Sequence, residues 1–236
     1  MKYLLIIPAR GGSKGIINKN IIKINDKPLI EYTIASALAA QKKLNDCKVI
    51  VSTDSDIIKK ISLKNGASVP FLRDKSISED MSKSSEYVNH AIKYFEKIGE
   101  MLENIIILQP TSPLRTNEDI IGAINLFENN NGETLISAYK ENYLNEKGTY
   151  KMEGIYGAPN NIFHSSGGRR QEDEDIVVRN GAIYIFKVSF FKKENQVISD
   201  KPLIYLMKKS QSINIDTYED LFIAEKLLKI LLDETK

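Results

Sequence analysis

The chain has 236 residues, of which 42% are hydrophobic and 27% charged, and these values predict a globular protein of one large domain or two small ones. Its net charge is only +2, from 33 basic and 31 acidic residues, so overall charge gives no support for a nucleic-acid-binding or membrane-binding protein. A single cysteine excludes an intrachain disulfide and, with two histidines, is too little for a structural zinc site. The N-terminal apolar run is cut by Pro8 and Arg10, so it is neither a signal peptide nor a membrane span, and we expect a cytoplasmic protein.

Strand and helix patterns alternate along the chain. Continuous apolar runs predict buried strands at residues 3–7, 48–52, 105–108, 134–138 and 182–186. Helical periodicity, in most cases after a residue able to cap a helix, predicts helices at residues 28–40, 55–64, 84–97, 117–128 and 217–232. The alternation predicts an α/β fold with a mainly parallel sheet and helices on both faces, in which ligands bind beyond the carboxyl ends of the strands.

The first predicted strand runs into a glycine-rich loop at residues 8–15, P-A-R-G-G-S-K-G, which is followed by Lys19 and Asn20. Glycines let backbone amides approach an anion, and the side chains of Arg10, Lys14 and Lys19 can neutralise its charge. The loop therefore indicates a phosphate-binding site. Its G-G-x-x-G spacing fits neither a Walker A loop nor the dinucleotide fingerprint, and a flexible turn with solvated lysines is the alternative.

The second predicted strand is followed by two aspartates in a D-x-D arrangement, Asp54 and Asp56. Such a pair is typical of the metal site of nucleotide-sugar glycosyltransferases. Asp and Ser directly before a helix also cap its free N–H groups, and we favour this structural role.

A polar loop at residues 74–85 follows Arg73 and is rich in serine and acidic residues, among them Asp80. A loop of this kind at the carboxyl edge of a sheet can recognise a base or a sugar through hydrogen bonds.

The strand at residues 105–108 ends in Q-P-T-S-P-L-R, in which two prolines stiffen the turn. A rigid turn holds the amide of Gln109 in place, and an amide that both donates and accepts suits a polyhydroxylated acid sugar. The alternative is a tight connector in which the glutamine is incidental.

The helix and strand pattern is interrupted between residues 139 and 178 by a polar, glycine-containing stretch. A structureless loop of this length is unusual inside a compact domain, so we predict an insertion that packs elsewhere, on another subunit, with a disordered hairpin as the alternative. Within it Arg170 is suited to bind a carboxylate through two parallel hydrogen bonds. The acidic run at residues 172–175 offers the alternative of a self-paired surface cluster.

The last motif is I-N-I-D-T at residues 213–217, before the C-terminal helix. Mg²⁺ prefers one or two carboxylates together with phosphate oxygens and water, so Asp216, with a neutral oxygen from Asn214, is a candidate metal ligand. The alternative role for Asp216 is a helix cap, with Glu219 completing a capping box.

Together these motifs resemble the acylneuraminate cytidylyltransferases, the enzymes that make CMP-sialic acid. Residues 8–15, then Lys19 and Asn20, then K-P-L-I at residues 27–30, are similar to the N-terminal signature of that family, and residues 109–115 are similar to its second signature. The family also carries S-T-D after the second strand, an L-R before the polar loop, and R-Q ahead of N-G-A-I-Y, here residues 180–184.

The resemblance implies one Rossmann-like nucleotidyltransferase domain over residues 1–236, with an insertion at about 139–178 used in dimerisation and sugar binding. It implies the reaction of CTP with a nine-carbon α-keto acid sugar to give the CMP-sugar and pyrophosphate, with Mg²⁺, in a homodimer without nucleic-acid or membrane partners. The family's nucleotide-binding residues correspond to Arg10, Gly11, Gly12, Ser13, Lys14, Lys19, Asn20, Arg73 and Asp80. Its sugar-binding residues correspond to Gln109, Arg170, Asn180 and Tyr184, its metal ligands to Asp216 and Asn214, and its catalytic residues to Arg10, Lys19 and Asp216.

The chain departs from the family pattern at four positions. Asp74 and Glu174 replace prolines, Met81 stands where threonine is usual, and Asn214 replaces the first acid of a D-I-D motif. Three alternatives therefore stay open: activation of another keto acid such as legionaminate or the eight-carbon sugar of lipopolysaccharide, a glycosyltransferase that uses the D-x-D pair, and a catalytically impaired relative that binds CTP or sugar.

Overall fold

A computed structural model of the chain describes residues 1–13, 15–79, 82–141, 150–153, 155–159 and 176–234. The strands are β1 Tyr3–Pro8, β2 Lys23–Ile24, β3 Lys27–Pro28, β4 Cys47–Ser52, β5 Asn104–Leu108, β6 Thr134–Lys140, β7 Tyr150–Glu153, β8 Tyr156–Pro159, β9 Val177–Lys187 and β10 Leu203–Leu206. The helices are α1 Leu29–Gln41, α2 Asp56–Lys64, α3 Ser84–Lys97, α4 Asn117–Asn129, α5 Val188–Glu194 and α6 Tyr218–Glu234. Every strand and helix predicted from the sequence is present.

The main sheet has six strands in the order β10-β6-β9-β5-β1-β4. β1 pairs in parallel with both β4 and β5, and β10 pairs in parallel with β6. β9 lies antiparallel between β5 and β6 and joins the two parallel parts. The mainly parallel sheet is therefore confirmed, with one antiparallel strand inside it.

Both faces of the sheet are covered by helices. In β1, Leu5 and Ile7 pack into a core cluster with residues of α1, α2 and α4, whereas Leu4 and Ile6 pack into a second cluster with residues of α3 and α5. All four side chains are fully buried, which is why this strand is a continuous apolar run rather than an alternating one. A third cluster packs Ala224 and Leu228 of α6 against residues that follow the glycine loop, so the segment before α6 lies beside that loop.

β9 contains a bulge at its Asn180-Gly181 dipeptide, where the register against β6 shifts between Ile136 and Ala138. Gly181 has φ +75°, a backbone conformation that favours glycine. The Asn180 side chain is 4% exposed and is bonded inside the protein: its Oδ1 accepts from Ser137 Oγ at 2.6 Å, and its Nδ2 donates to Ser212 Oγ at 2.9 Å. The bulge is thus fixed by buried hydrogen bonds.

The predicted insertion leaves the sheet from β6 and returns in β9. Its two ends are paired, since Lys140 is opposite Val177 and the Glu141 amide donates to the Ile176 carbonyl at 2.9 Å. β7 and β8 form a separate antiparallel pair within it. Most of the remaining insertion, including Arg170, lies outside the described residues, so its role in dimerisation and sugar binding stays a prediction. Among the described helices, none combines the length and apolarity needed to cross a membrane.

Candidate active site

A cavity of about 420 Å³ opens beyond the carboxyl ends of β1, β4 and β5. This is the edge at which ligands bind in parallel α/β sheets. The structure brings many of the predicted site residues into its wall, namely Arg10, Ser13, Lys19, Asn20, Arg73, Gln109, Asn214 and Asp216. Lys14 and Asp80 were also predicted and lie outside the described residues.

The polar side chains of the glycine loop hold the loop itself. Ser13 Oγ donates to the Ile16 carbonyl at 2.6 Å and accepts from the Lys19 amide at 3.0 Å, and Asn20 Nδ2 donates to the Arg10 carbonyl at 3.0 Å. A Cβ added at Gly12 would meet no atom within 4 Å, so the loop backbone is open at that point. The loop is therefore shaped by its own side chains, with an accessible backbone for an anion.

The D-x-D segment serves as a scaffold. Ser55 caps α2 by accepting from the Ile58 amide, which confirms the predicted cap, and Asp56 is the exposed first residue of that helix. Asp54 has a role that the sequence did not show: its Oδ1 accepts a hydrogen bond from the Gly11 amide at 2.8 Å. The residue after β4 thus anchors the loop after β1.

Arg73 lies deep in the cavity wall with 7% of its surface exposed. Its guanidinium carbon is 5.4 Å from the ring centre of Tyr87, within the range of a cation–π contact. Burial lowers the pKa of Arg73, and the nearby Asp54 carboxylate opposes that shift. The buried Nε has no hydrogen-bond partner among the described residues, so it is available to a ligand acceptor.

Several cavity residues around Arg73 were missed in the sequence. Tyr87 lies on the apolar face of α3, where an aromatic side chain indicates only core packing, and burial raises its pKa to about 12. The loop before α3 contributes further lining residues, Ile77, Ser78, Glu79 and Ser82, and the first residue of α3, Ser84, also lines the cavity. The prediction that this polar loop lies at the site is confirmed.

A buried arginine donates a hydrogen bond to the main-chain carbonyl of Gln109. Arg115 is 3% exposed, and its Nη1 donates both to the Gln109 carbonyl at 3.1 Å and to the Ala182 carbonyl at 2.9 Å. Burial lowers the pKa of Arg115 to about 9. A Cβ added at Gly181 would lie 2.9 Å from Gln109 Oε1, so the Gln109 amide packs directly on the backbone of the β9 bulge. Arg115 thereby joins the end of β5 to β9 beneath the Gln109 side chain.

Asp216 is at the centre of a small polar cluster. Its Oδ1 accepts from Lys19 Nζ at 2.8 Å, and its Oδ2 accepts from Asn214 Nδ2 at 2.6 Å. Lys19 Nζ also donates to the Ile215 carbonyl at 2.9 Å. The Ile215 amide donates to the Thr111 carbonyl at 2.8 Å, which ties this segment to the turn after β5.

The alternative role of Asp216 as a helix cap is wrong. Thr217 caps α6, because its Oγ1 accepts from the Asp220 amide at 3.2 Å while the Asp220 carboxylate accepts from the Thr217 amide at 2.8 Å. The predicted partner Glu219 takes no part in this box. The Asp216 carboxylate therefore faces the cavity rather than the helix end.

The residues present fit a magnesium ion that arrives with a nucleotide. The described part of the chain contains no group of three or more His, Cys, Asp or Glu side chains that could hold a metal alone. Asp216 supplies one carboxylate. The Asn214 amide turns its Nδ2 toward Asp216 and its buried Oδ1, which has no hydrogen-bond partner among the described residues, toward Gly181, so Oδ1 would reach a metal on Asp216 only after the amide rotates. One carboxylate and one neutral oxygen suffice for Mg²⁺ when phosphate oxygens and water complete its shell.

Two of the predicted sugar-binding residues do not line the cavity. The Asn180 side chain is buried and hydrogen-bonded within the β9 bulge. Tyr184 is 9% exposed and packs in the core cluster that contains Tyr87. The guanidinium carbon of Arg179 lies 6.0 Å from the ring centre of Tyr184. Sugar binding by these two residues stays a prediction.

Known proteins of similar sequence and fold were found for this chain. The chain is 32% identical over 232 residues to the pseudaminic acid cytidylyltransferase of Campylobacter jejuni, covering 98% of this chain and 97% of that protein. It is 31% identical over 222 residues to the N-acylneuraminate cytidylyltransferase of Streptococcus agalactiae, covering 93% of this chain and 52% of that longer protein. A solved CMP:2-keto-3-deoxy-manno-octonic acid synthetase with CTP shares the fold, with a TM-score of 0.67 at 16% identity and coverage of 97% and 99%. Residues 4–234 match the cytidylyltransferase family, and the chain therefore belongs to that family of nucleotidyltransferases.

Proposed function

We propose that this protein transfers the cytidylyl group of CTP to a nine-carbon α-keto acid sugar, with release of pyrophosphate. The observation that carries the proposal is the layout of the cavity. The segment with Asn214 and Asp216 lies between the glycine loop and Gln109: a Cβ at Gly15 would be 3.0 Å from the Asp216 carbonyl, and one at Gly181 would be 3.8 Å from Asn214 Oδ1. A phosphate loop, a metal-binding carboxylate and a polar sugar-binding side chain thus follow one another along one wall.

The glycine-loop end binds the triphosphate in this proposal. Arg10, Lys14 and Lys19 neutralise the phosphate charge, and the open backbone at Gly12 supplies an amide. Asp216 and Asn214 Oδ1 hold Mg²⁺, which supplies charge neutralisation for the departing pyrophosphate. Arg73, stacked on Tyr87 and with a free Nε, contacts the cytosine together with the loop that contains Asp80.

The reaction is an in-line displacement. The anomeric hydroxyl of the sugar attacks the α-phosphorus, the bond from that phosphorus to the bridging oxygen of the β-phosphate breaks, and pyrophosphate leaves. The hydroxyl proton passes to the exposed carboxylate of Asp216 or to water beside it. Positioning and charge neutralisation by the cavity residues supply most of the rate in such a transfer.

The other end of the cavity binds the sugar. The backbone of Gln109 is fixed by its proline-rich turn and by Arg115, and its side-chain amide packs on Gly181, so we assign that amide to the hydroxyl groups of the sugar. We assign the sugar carboxylate to Arg170, and we propose a homodimer in which the insertion at about 139–178 completes the sugar site. Because CTP is a cytoplasmic metabolite, we expect the enzyme to act in the cytoplasm.

The test is pyrophosphate release by the purified chain with CTP, Mg²⁺ and each of N-acetylneuraminate, legionaminate, pseudaminate and the eight-carbon keto acid of lipopolysaccharide. We expect turnover with at least one nine-carbon sugar and its loss in Asp216→Ala. Absence of pyrophosphate with every nine-carbon sugar would overturn the proposal, and turnover with the eight-carbon sugar alone would change the substrate class.

A second candidate function rests on Asn214, which leaves the cluster around Asp216 with a single carboxylate. A catalytically impaired relative would bind CTP or sugar without turnover. Calorimetric binding of CTP without pyrophosphate release, followed by turnover in Asn214→Asp, would favour this alternative.

A further inference from the structure

Lys19 occupies the position on Asp216 that a cation would take. Its ammonium is 2.8 Å from Asp216 Oδ1, and the other carboxylate oxygen accepts from Asn214 Nδ2 at 2.6 Å. Both oxygens of the candidate metal ligand are therefore engaged by protein donors. Because a carboxylate has about four acceptor positions, a metal ion that binds Asp216 either lies beside the Lys19 ammonium, which repels it, or displaces that ammonium.

This ion pair is built into the scaffold. The Lys19 side chain is 15% exposed, and its ammonium has a second acceptor in the Ile215 carbonyl at 2.9 Å. Its backbone amide is tied to Ser13 Oγ at 3.0 Å, so the residue that carries the ammonium is fixed at the end of the glycine loop. A contact with two acceptors, one of them shielded, is more persistent than an exposed surface pair.

The opposite partner is fixed as well. The Ile215 amide is bonded to the Thr111 carbonyl, and the Asp216 amide donates to the Asp220 carboxylate at 3.0 Å. The Asp216 carbonyl lies 3.0 Å from the position of a Cβ on Gly15. These contacts fix the backbone that carries the Asp216 carboxylate beside the glycine loop.

The charges around Asp216 determine which ligand can separate Lys19 from it. Asn214 is neutral, so Asp216 supplies the one carboxylate that the Lys19 ammonium contacts in this cluster, while the nearby Asp220 carboxylate accepts from the Asp216 and Thr217 amides. A free divalent cation at Asp216 would be repelled by the ammonium beside it and would have that one carboxylate as its charged ligand. A metal bound to a nucleoside triphosphate brings negative phosphate oxygens, which attract the ammonium away from Asp216 and also fill the metal's coordination shell.

We propose that Lys19 is an internal placeholder cation for Asp216, which keeps the metal position closed until a metal-bound triphosphate draws the ammonium onto its phosphates. The metal and the nucleotide then enter together, and free metal does not bind first. The proposal rests on the proposed function in taking Asp216 to be the metal ligand and the nucleotide to be a triphosphate such as CTP.

The test measures metal binding by the full chain without nucleotide. Bound and free Mn²⁺ are separated by electron paramagnetic resonance for the wild type, Lys19→Met and Lys19→Arg. Lys23→Met is the matched control, because Lys23 is an exposed lysine in β2 outside the cavity wall. We expect Lys19→Met to bind Mn²⁺ at least about tenfold more tightly than the wild type, a change of about 1.4 kcal/mol, with Lys19→Arg and Lys23→Met unchanged.

Mn²⁺ binding by Lys19→Met that is no tighter than that of the wild type would overturn the proposal. So would wild-type binding of Mn²⁺ that is equally tight without and with CTP. Circular dichroism checks the fold of each variant, and Asp216→Asn in the Lys19→Met background should remove the gained binding.

Asn214→Asp gives a second test that leaves Lys19 in place. It adds a carboxylate charge that one ammonium cannot balance, so we expect tighter Mn²⁺ binding in the nucleotide-free protein, and unchanged binding would contradict the proposal. Neither test requires turnover. A failed pyrophosphate assay would therefore leave these results interpretable.

Discussion

The Gly11 amide donates a hydrogen bond to Asp54 Oδ1 at 2.8 Å, which joins the loop after β1 to the first residues after β4. One amide of the glycine loop is therefore used by the protein itself. Asp54 also lies close enough to Arg73 to raise that residue's pKa against the effect of burial. A single carboxylate thus interacts with both the glycine loop and Arg73.

We predict that Asp54→Ala releases Gly11 and raises KM for CTP about tenfold, because a hydrogen bond to a charged acceptor is lost. Asp54→Asn keeps an acceptor for the amide and should have a smaller effect. Steady-state pyrophosphate release checks both variants. The control is Asp56→Ala in the same segment, which should retain activity. An equal loss of activity in Asp54→Ala and Asp56→Ala would refute the anchoring role of Asp54. Loss of activity in Asp56→Ala would also favour the glycosyltransferase alternative.

Gly181→Ala should impair sugar binding. The added Cβ would lie 2.9 Å from Gln109 Oε1, and φ +75° strains any residue with a side chain. We expect KM for the sugar to rise about fivefold or more, with a stability loss of about 1 kcal/mol.

Gly99→Ala separates the two effects of that change. Gly99 has φ +80°, but its Cβ would meet no atom within 4 Å. It should lower stability in urea unfolding by a similar amount and leave KM for the sugar unaltered. A sugar KM that changes equally in both variants would contradict the contact with Gln109.

Arg115→Met should loosen Gln109 from β9. The buried Ala182 carbonyl loses the Arg115 donor, at a cost of about 1–3 kcal/mol before relief of the buried charge is counted. The partly buried Gln109 carbonyl loses the same donor and keeps the Ser112 amide at 3.3 Å. We expect KM for the sugar to rise about tenfold and KM for CTP to change less than about twofold. Arg115→Lys, which retains a charged donor, should recover part of the loss. An effect on CTP as large as that on the sugar would argue against local positioning.

Glu128 should make stability depend on pH in the acid range. Lys2 and then Tyr3, both donating to its carboxylate, lower the pKa of Glu128 below 4.5. The carboxylate therefore stabilises the folded state above pH 4.5, and this contribution is lost as pH falls through the lowered value.

Glu128→Gln should thus show a smaller loss of unfolding free energy than the wild type between about pH 6 and about pH 3.5. The Glu128 side chain is 39% exposed, so solvent screening keeps the difference below about 1 kcal/mol. Urea unfolding at both pH values measures it, with Glu219→Gln on the exposed face of α6 as the control. A parallel pH dependence of Glu128→Gln and wild type would contradict the assignment.

The sequence predicted the parallel core because β1, β4 and β5 are buried on both faces, and continuous apolar runs report that burial directly. β10 escaped prediction, because Leu203–Leu206 is a short edge strand with partly exposed side chains. The direction of β9 depends on the path of the insertion, which local patterns do not contain.

Sequence patterns placed residues at the cavity where a motif is short, and they missed contacts between distant segments. Lys19 and Gln109 belong to short motifs after strands, and they line the cavity because the carboxyl ends of parallel strands face one edge of the sheet. Arg115 acts on the Ala182 carbonyl, 67 residues away in sequence, and Asp54 acts on Gly11 across two strands. The spacing of residues within one motif cannot predict contacts between segments that are distant in the sequence.

The paired ends of the excursion between β6 and β9 have a consequence for how this enzyme can diverge. Because the Glu141 amide and the Ile176 carbonyl are hydrogen-bonded neighbours, the segment between them closes on itself as a loop does. Doubling the length of such a loop costs only about 0.6 kcal/mol. Changes in the length of that segment therefore cost little free energy and leave the pairing of β6 with β9 in place.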